Sequence, residues 1–129
     1  MKRRTYIRTM LAGAAVLAPA AETTDKPIQL HVDLTVDPAK EQEMLKNFHT
    51  IFRPAAGKQP GYIDVQMLKL RSTLNGQAPA GVNYRFVLTF KSEELRQAWV
   101  ASATHQKVWP TIEGTLANKN YNVLLFDKA

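Results

Sequence analysis

Residues 28–36, Ile28-Gln29-Leu30-His31-Val32-Asp33-Leu34-Thr35-Val36, alternate apolar and polar side chains without a break. A period of two belongs to a strand with one buried face, because successive side chains leave a pleated backbone on opposite sides. Ile28, Leu30, Val32, Leu34 and Val36 fill the inner face, and Gln29, His31, Asp33 and Thr35 the outer one. Asp37-Pro38 then supplies a helix N-cap with proline at the first helical position. Over residues 39–53 the period lengthens, and Met44, Leu45, Phe48, Ile51 and Phe52 gather on one side of a helix. Pro54 and Gly57 are its expected stop.

Working outward, Pro60-Gly61 marks a turn into a strand over residues 62–71. Residues 72–81 (STLNGQAPAG) read as a loop, longer than the two to five residues of a tight hairpin. Residues 82–90 (VNYRFVLTF) are β-branched and aromatic, hence a strand. Ser92 caps a helix whose first-turn Glu93 and Glu94 suit the positive end of its dipole. Leu95, Ala98, Trp99 and Ser102 are its expected inward stripe. A further helical piece, about residues 105–115, is interrupted or restarted by Pro110, and residues 121–127 form a last strand. Strand–helix–strand–strand–helix–strand in about 100 residues is the split βαβ, ferredoxin-like plan. The expected class is therefore α+β: a βαββαβ antiparallel sheet with its helices on one face. The other sheet face then needs cover, and a homodimer is the expected solution, with a different partner as the alternative.

The chain has 129 residues, 45% hydrophobic and 22% charged, which suits one globular domain and excludes collagen-like, disordered and coiled-coil classes. The absence of Cys excludes disulfides, thiolate metal sites and a cysteine nucleophile. Net charge is +6, but Lys2, Arg3, Arg4 and Arg8 supply four of the cations. Residues 21–129 carry 13 Lys and Arg against 11 Asp and Glu, leaving +2, too even for a nucleic-acid footprint. Residues 1–20 show a basic zone, a nine-residue apolar run (MLAGAAVLA) and Ala18-Pro19-Ala20, the layout of a secretory signal peptide. That run is too short to span a bilayer. Arg3-Arg4-Thr5-Tyr6-Ile7-Arg8 resembles a twin-arginine motif, with the Sec route as the competitor. The expected layout is a signal peptide at 1–20, a linker at 21–27 and one domain at 28–127, in a bacterial protein that is periplasmic or secreted.

Three further passages carry a family resemblance: Pro60-Gly61-Tyr62, residues 86–95 (FVLTFKSEEL) and residues 99–106 (WVASATHQ). In this strand order they resemble the antibiotic biosynthesis monooxygenases of the dimeric α+β barrel superfamily, over roughly residues 28–127. The resemblance implies a dimeric barrel with a cleft between sheet and helices for a small aromatic or quinone-like molecule. It admits cofactor-independent monooxygenases, haem-binding or haem-degrading proteins with haem as cofactor, and non-catalytic binding modules. Trp99 falls on the family's second-helix Trp, and His105, six residues on, where a second site residue is expected. Polyketide-type oxygenases of the family carry Asn one turn before that Trp, and here the position is Leu95. Whether the chain is an enzyme stays open on sequence.

His105 and Trp99 are accordingly the candidate catalytic pair. With Thr104 as N-cap, His105 would sit near a helix N-terminus, where the dipole favours neutral imidazole. A neutral His can take a phenol proton or ligate haem iron, and it can equally be a polar rim residue. Trp109, with Phe48, His49 and Phe52 from the first helix and Tyr84 and Phe86 from the third strand, are the expected ligand contacts, although an aromatic stripe is more often core. His31 lies two residues from Asp33, which would orient it, but on a strand's polar face it reads as solvated or interfacial. The three His are spaced by 18 and 56 residues and match no metal motif, so no metal site is expected. Phosphate-loop and nucleophile-elbow motifs do not occur.

Overall fold

A computed structural model describes residues 26–129, so the expected signal peptide and most of the linker lie outside the described residues. The alternating stretch forms strand β1 (Ile28–Leu34) in the sheet interior. It pairs antiparallel with β3 (Tyr84–Phe90) on one side and β4 (Asn122–Asp127) on the other. Strand β2 (Tyr62–Lys69) pairs antiparallel with the far side of β3, giving the order β2–β3–β1–β4. The fold is the expected ferredoxin-like α+β sheet with helices on one face. Register sets the core: Ile28, Leu30, Val32 and Leu34 lie opposite Phe90, Leu88, Phe86 and Tyr84, and all eight are buried. Each such side chain contributes about 1.5–3 kcal/mol of burial.

β1 ends at Leu34 rather than Val36. Beyond it, the Asn83 side chain replaces a partner strand, donating from Nδ2 to the Val36 carbonyl (2.9 Å) and accepting the Val36 amide at Oδ1 (2.8 Å). Val36 then bridges to Leu116. The first helical stretch runs past Pro54 and ends at Gly57, the second of its two expected stops. A short 3-10 turn at Pro38–Lys40, capped by Asp37, leads into α1 (Glu41–Asn47), a π-helical turn (Phe48–Phe52) and α2 (Arg53–Ala56). In the wide turn the Arg53 amide reaches the Phe48 carbonyl, five residues back. Proline breaks an α-helix by clashing with the carbonyl four residues earlier. Widening the turn ahead of Pro54 lets the chain keep coiling.

The second helical region breaks at Ser102, between the two expected pieces, and Pro110 does not interrupt the second. Helix α3 (Glu93–Ala101) starts at Ser92, whose hydroxyl accepts the Leu95 amide, as expected. Helix α4 (Ala103–Glu113) passes through Pro110. Its N-cap is Ser102 rather than Thr104, with the Ser102 hydroxyl accepting the His105 amide at 3.1 Å. Among the described residues no helix is long and apolar enough to cross a membrane.

Two features leave apolar surface exposed. β4 has an unpaired edge, and Val123, Leu124, Leu125 and Phe126 are each about half exposed. On the sheet face away from the helices, Leu68, Leu124 and Phe126 surround a polar centre of Gln29, His31, Asp33 and Arg85.

Gly61, in the turn before β2, has φ +87°, and a Cβ there would meet Leu95 Cδ1 at 2.5 Å. Gly61→Ala is expected to cost roughly 1–3 kcal/mol in urea unfolding, from backbone strain plus overpacking. Adding Leu95→Ala should recover only part of the cost, because it removes the Cδ1 and Cγ contacts but neither the backbone strain nor the Leu95 Cβ contact at 2.9 Å. A Gly61→Ala protein of unchanged stability would contradict this packing.

Candidate functional site

Ser102 makes two bonds at the α3–α4 joint, accepting the His105 amide and donating its own hydroxyl to the Trp99 carbonyl at 2.7 Å. Short polar side chains satisfy helix ends in this way, and the backbone turns at Ser102 in an extended conformation (φ −73°, ψ 153°). The turn brings Trp99, near the end of α3, against His105 in the first turn of α4. Their rings meet edge to face with centroids 5.0 Å apart. One turn later Trp109 lies nearly parallel to the His105 ring, with centroids 6.3 Å apart. Phe52, from the π-helical turn, touches Trp99, His105 and Trp109, and Phe86 of β3 closes the group against Phe52 and Trp109.

These rings wall a cavity of about 220 Å³ between the sheet and helices α3 and α4. Leu30, Val32, Leu88, Val100 and Val123 complete its apolar lining, and Arg96 and Tyr121 are its polar members besides His105. An apolar cavity of about 150 Å³ holds benzene, and drug-sized pockets run from about 300 Å³, so this one suits one or two fused rings.

The electrostatics favour a neutral imidazole. Burial, and secondarily the Arg96 cation, hold His105 below its usual pKa of 6.5. Among the described residues neither ring nitrogen of His105 has a hydrogen-bond partner. Arg96 is held by Glu93, donating from Nε to Oε1 at 2.7 Å and from Nη2 to Oε2 at 2.6 Å. Tyr121 donates to Glu113 at 2.7 Å and accepts Trp109 Nε1 at 3.4 Å, and burial followed by Glu113 raises its pKa. It stays protonated and steadies the Trp109 indole.

Of the side chains expected at the cleft, His105, Trp99, Trp109, Phe52 and Phe86 line the cavity. Phe48, His49 and Tyr84 lie outside its lining. Phe48 is core, His49 is exposed beside a separate hollow against β2, and Tyr84 donates to Glu41 at 2.6 Å. Burial, then Glu41, pushes the Tyr84 hydroxyl up to about 12. Asp33 does not orient His31. It is buried and holds Arg85 at 2.7 Å, while His31 Nε2 pairs with Gln29 Oε1 at 2.8 Å. A larger hollow of about 580 Å³ lies beside the loop after β2, lined by residues 68–75 and by the Asp33–Arg85 pair. Asp33 and Arg85 pair with each other there, Lys69 reaches out to Glu41, and the hollow gathers no comparable group of rings.

No protein-family model matches the chain, and no curated protein matches it. Solved structures do. A Caulobacter crescentus protein, provisionally named an antibiotic biosynthesis monooxygenase, has 18% identity and a TM-score of 0.64, covering 82% of this chain and 92% of its own. SnoaB, a cofactor-independent oxygenase from Streptomyces nogalater, has 14% identity and a TM-score of 0.63, covering 81% and 93%. A dimeric ferredoxin-like protein of unknown function from Jannaschia has 18% identity and a TM-score of 0.61, covering 80% and 98%. The chain has the antibiotic biosynthesis monooxygenase fold. At such identities the likeness speaks for the fold, and chemistry has to come from the site. In this version of the monooxygenase fold Leu95 turns away from the cavity and packs on Gly61, and the polar side chain that α3 presents to it is Arg96, one position later.

Because the folded-state pKa of His105 lies below its unfolded value near 6.5, its neutral burial favours folding fully above that pH. The contribution is lost as pH falls through the folded-state value. The stability of the native protein relative to His105→Gln should therefore drop between pH 7.5 and 5 in urea titrations. A difference that stays constant with pH would contradict a buried neutral His105.

Proposed function

We propose that this chain is an exported protein whose cavity binds a one- or two-ring aromatic or quinone-like molecule, and that it oxygenates this ligand without a cofactor. The observation that carries the reading is His105: a neutral imidazole whose ring nitrogens have no hydrogen-bond partner among the described residues, set into a wall of aromatic rings. The solved oxygenase of the same fold supports it, and the three-zone pattern of residues 1–20 supports export. In this reading the ligand ring lies among Trp99, Trp109, Phe52 and Phe86, which exclude water. His105 takes the proton of a ring hydroxyl, and the electron-rich anion reduces O₂. One oxygen atom becomes a ring carbonyl, and the other leaves as water with the hydroxyl and ring hydrogens. The cavity volume favours this smaller ligand over haem, whose four linked pyrrole rings exceed it.

A suitable probe is 1-naphthol, which would consume one O₂ and yield 1,4-naphthoquinone and one water. The expected result is O₂ uptake that falls by about 100-fold or more in His105→Ala, the scale of a lost general base. Binding of 1-naphthol without O₂ uptake would contradict the oxygenase half, and no binding would contradict both halves.

We also infer that a second copy of the chain covers the open sheet face. Leu68, Leu124 and Phe126 are exposed there, and His31 Nδ1 is buried among the described residues without a hydrogen-bond partner. The dimeric protein of the same fold supports this reading. Sedimentation equilibrium should give a dimer at micromolar concentration, and Leu124→Lys should give a folded monomer. A monomeric native protein would contradict it.

A further inference from the structure

The cavity holds one cation, and neither its shape nor the aromatic wall accounts for it. Arg96 is largely buried, with 17% of its side chain exposed, and burying a guanidinium is costly unless it is hydrogen-bonded. Glu93 meets that need by engaging Nε and Nη2 together, which fixes the guanidinium plane. Nη1 makes no hydrogen bond among the described residues, so donors remain on a rigidly held cation at the cavity wall. The Arg96 charge is felt inside, since it helps depress the neighbouring imidazole. The Glu93–Arg96 unit spans one turn of α3 and needs only packing to hold it, so it is formed before any ligand arrives.

We propose that Arg96 is a specificity residue that receives an oxyanion, so that the cavity selects aromatic ligands bound as enolates or phenolates over neutral rings of the same size. This rests on the reading of the cavity as an aromatic-ligand site. An oxyanion on the ring accepts from the free Arg96 donors while the ring face stays among the tryptophans. A neutral carbonyl oxygen also accepts from those donors, but without charge pairing the bond is about half as strong, and that difference is the source of the discrimination.

Two probes of nearly equal shape test this: 2-hydroxy-1,4-naphthoquinone, an anion at neutral pH, and 1,4-naphthoquinone, which has no hydroxyl. Trp99 and Trp109 are the chain's two tryptophans, so quenching of intrinsic fluorescence reports binding at the cavity. The hydroxyquinone is expected to bind about tenfold or more tightly, the scale of a charge-assisted hydrogen bond. Arg96→Gln should abolish that preference, with the hydroxyquinone losing about tenfold or more in affinity and 1,4-naphthoquinone losing much less. Glu93→Gln, which frees the guanidinium from its partner, should increase the preference. A purely structural ion pair would instead weaken both ligands together in both variants. Equal affinity of the two probes for the native protein would overturn the proposal while leaving the cavity reading intact. Quenching by neither probe would overturn both.

Discussion

The Ser102 hydroxyl is bonded on both sides, donating to the last full turn of α3 and accepting from the first turn of α4. Without that joint the two helices would either run on as one rod or part with unsatisfied ends. As a single rod, Trp99 and His105 would point in different directions, since six residues span one and two-thirds turns. The break at Ser102 makes them face each other. Once they do, Trp109, one turn further along α4, and Phe52, from the π-helical turn, fall into the same group. Edge-to-face ring pairs each add about 0.5–1.5 kcal/mol beyond burial, so the cavity wall is held by the contacts that define it.

The sheet was legible in the sequence because alternation over residues 28–36 has one physical meaning, and Ser92 followed by Glu93-Glu94 has nearly as narrow a one. The behaviour of the two helix prolines was not. Pro54 and Pro110 carry strong local stop signals, yet a π-helical turn absorbs the first and α4 continues through the second. Ser102 and Thr104 are both good caps two residues apart, and only packing of Trp99 against His105 chooses between them. Arg96 does not show in the sequence because the apolar pattern points to Leu95, Ala98, Trp99 and Ser102 as the inward stripe of α3. The close approach of Gly61 to Leu95 rotates that face, bringing Arg96, Trp99 and Val100 toward the cavity. Positions 96, 99 and 100 are helical neighbours, so their spacing held the signal, but a charged residue does not register in a search for apolar stripes.

The cavity and the open sheet face share strand β4. Val123 lines the cavity, while its neighbours Leu124 and Phe126 lie on the opposite face, where the His31 ring meets Phe126 edge to face. Covering the open face therefore stiffens one wall of the cavity without adding a contact inside it. The polar groups of the two faces follow the same pattern: Asp33 is satisfied by Arg85 on one, and Glu93 by Arg96 on the other. His105 is left as the titratable side chain at the cavity that no pairing among the described residues has engaged.

The most direct test of the cavity as the binding site is a nitrogen-15 NMR titration of the two indole N–H signals with 1-naphthol, assigned through Trp99→Phe. Both indoles belong to the cavity wall, so both signals should shift together and saturate at one ligand per chain, while backbone amides of Gln29, His31 and Asp33 on the open face stay in place. Shifts confined to those open-face amides, with unmoved indole signals, would contradict the account.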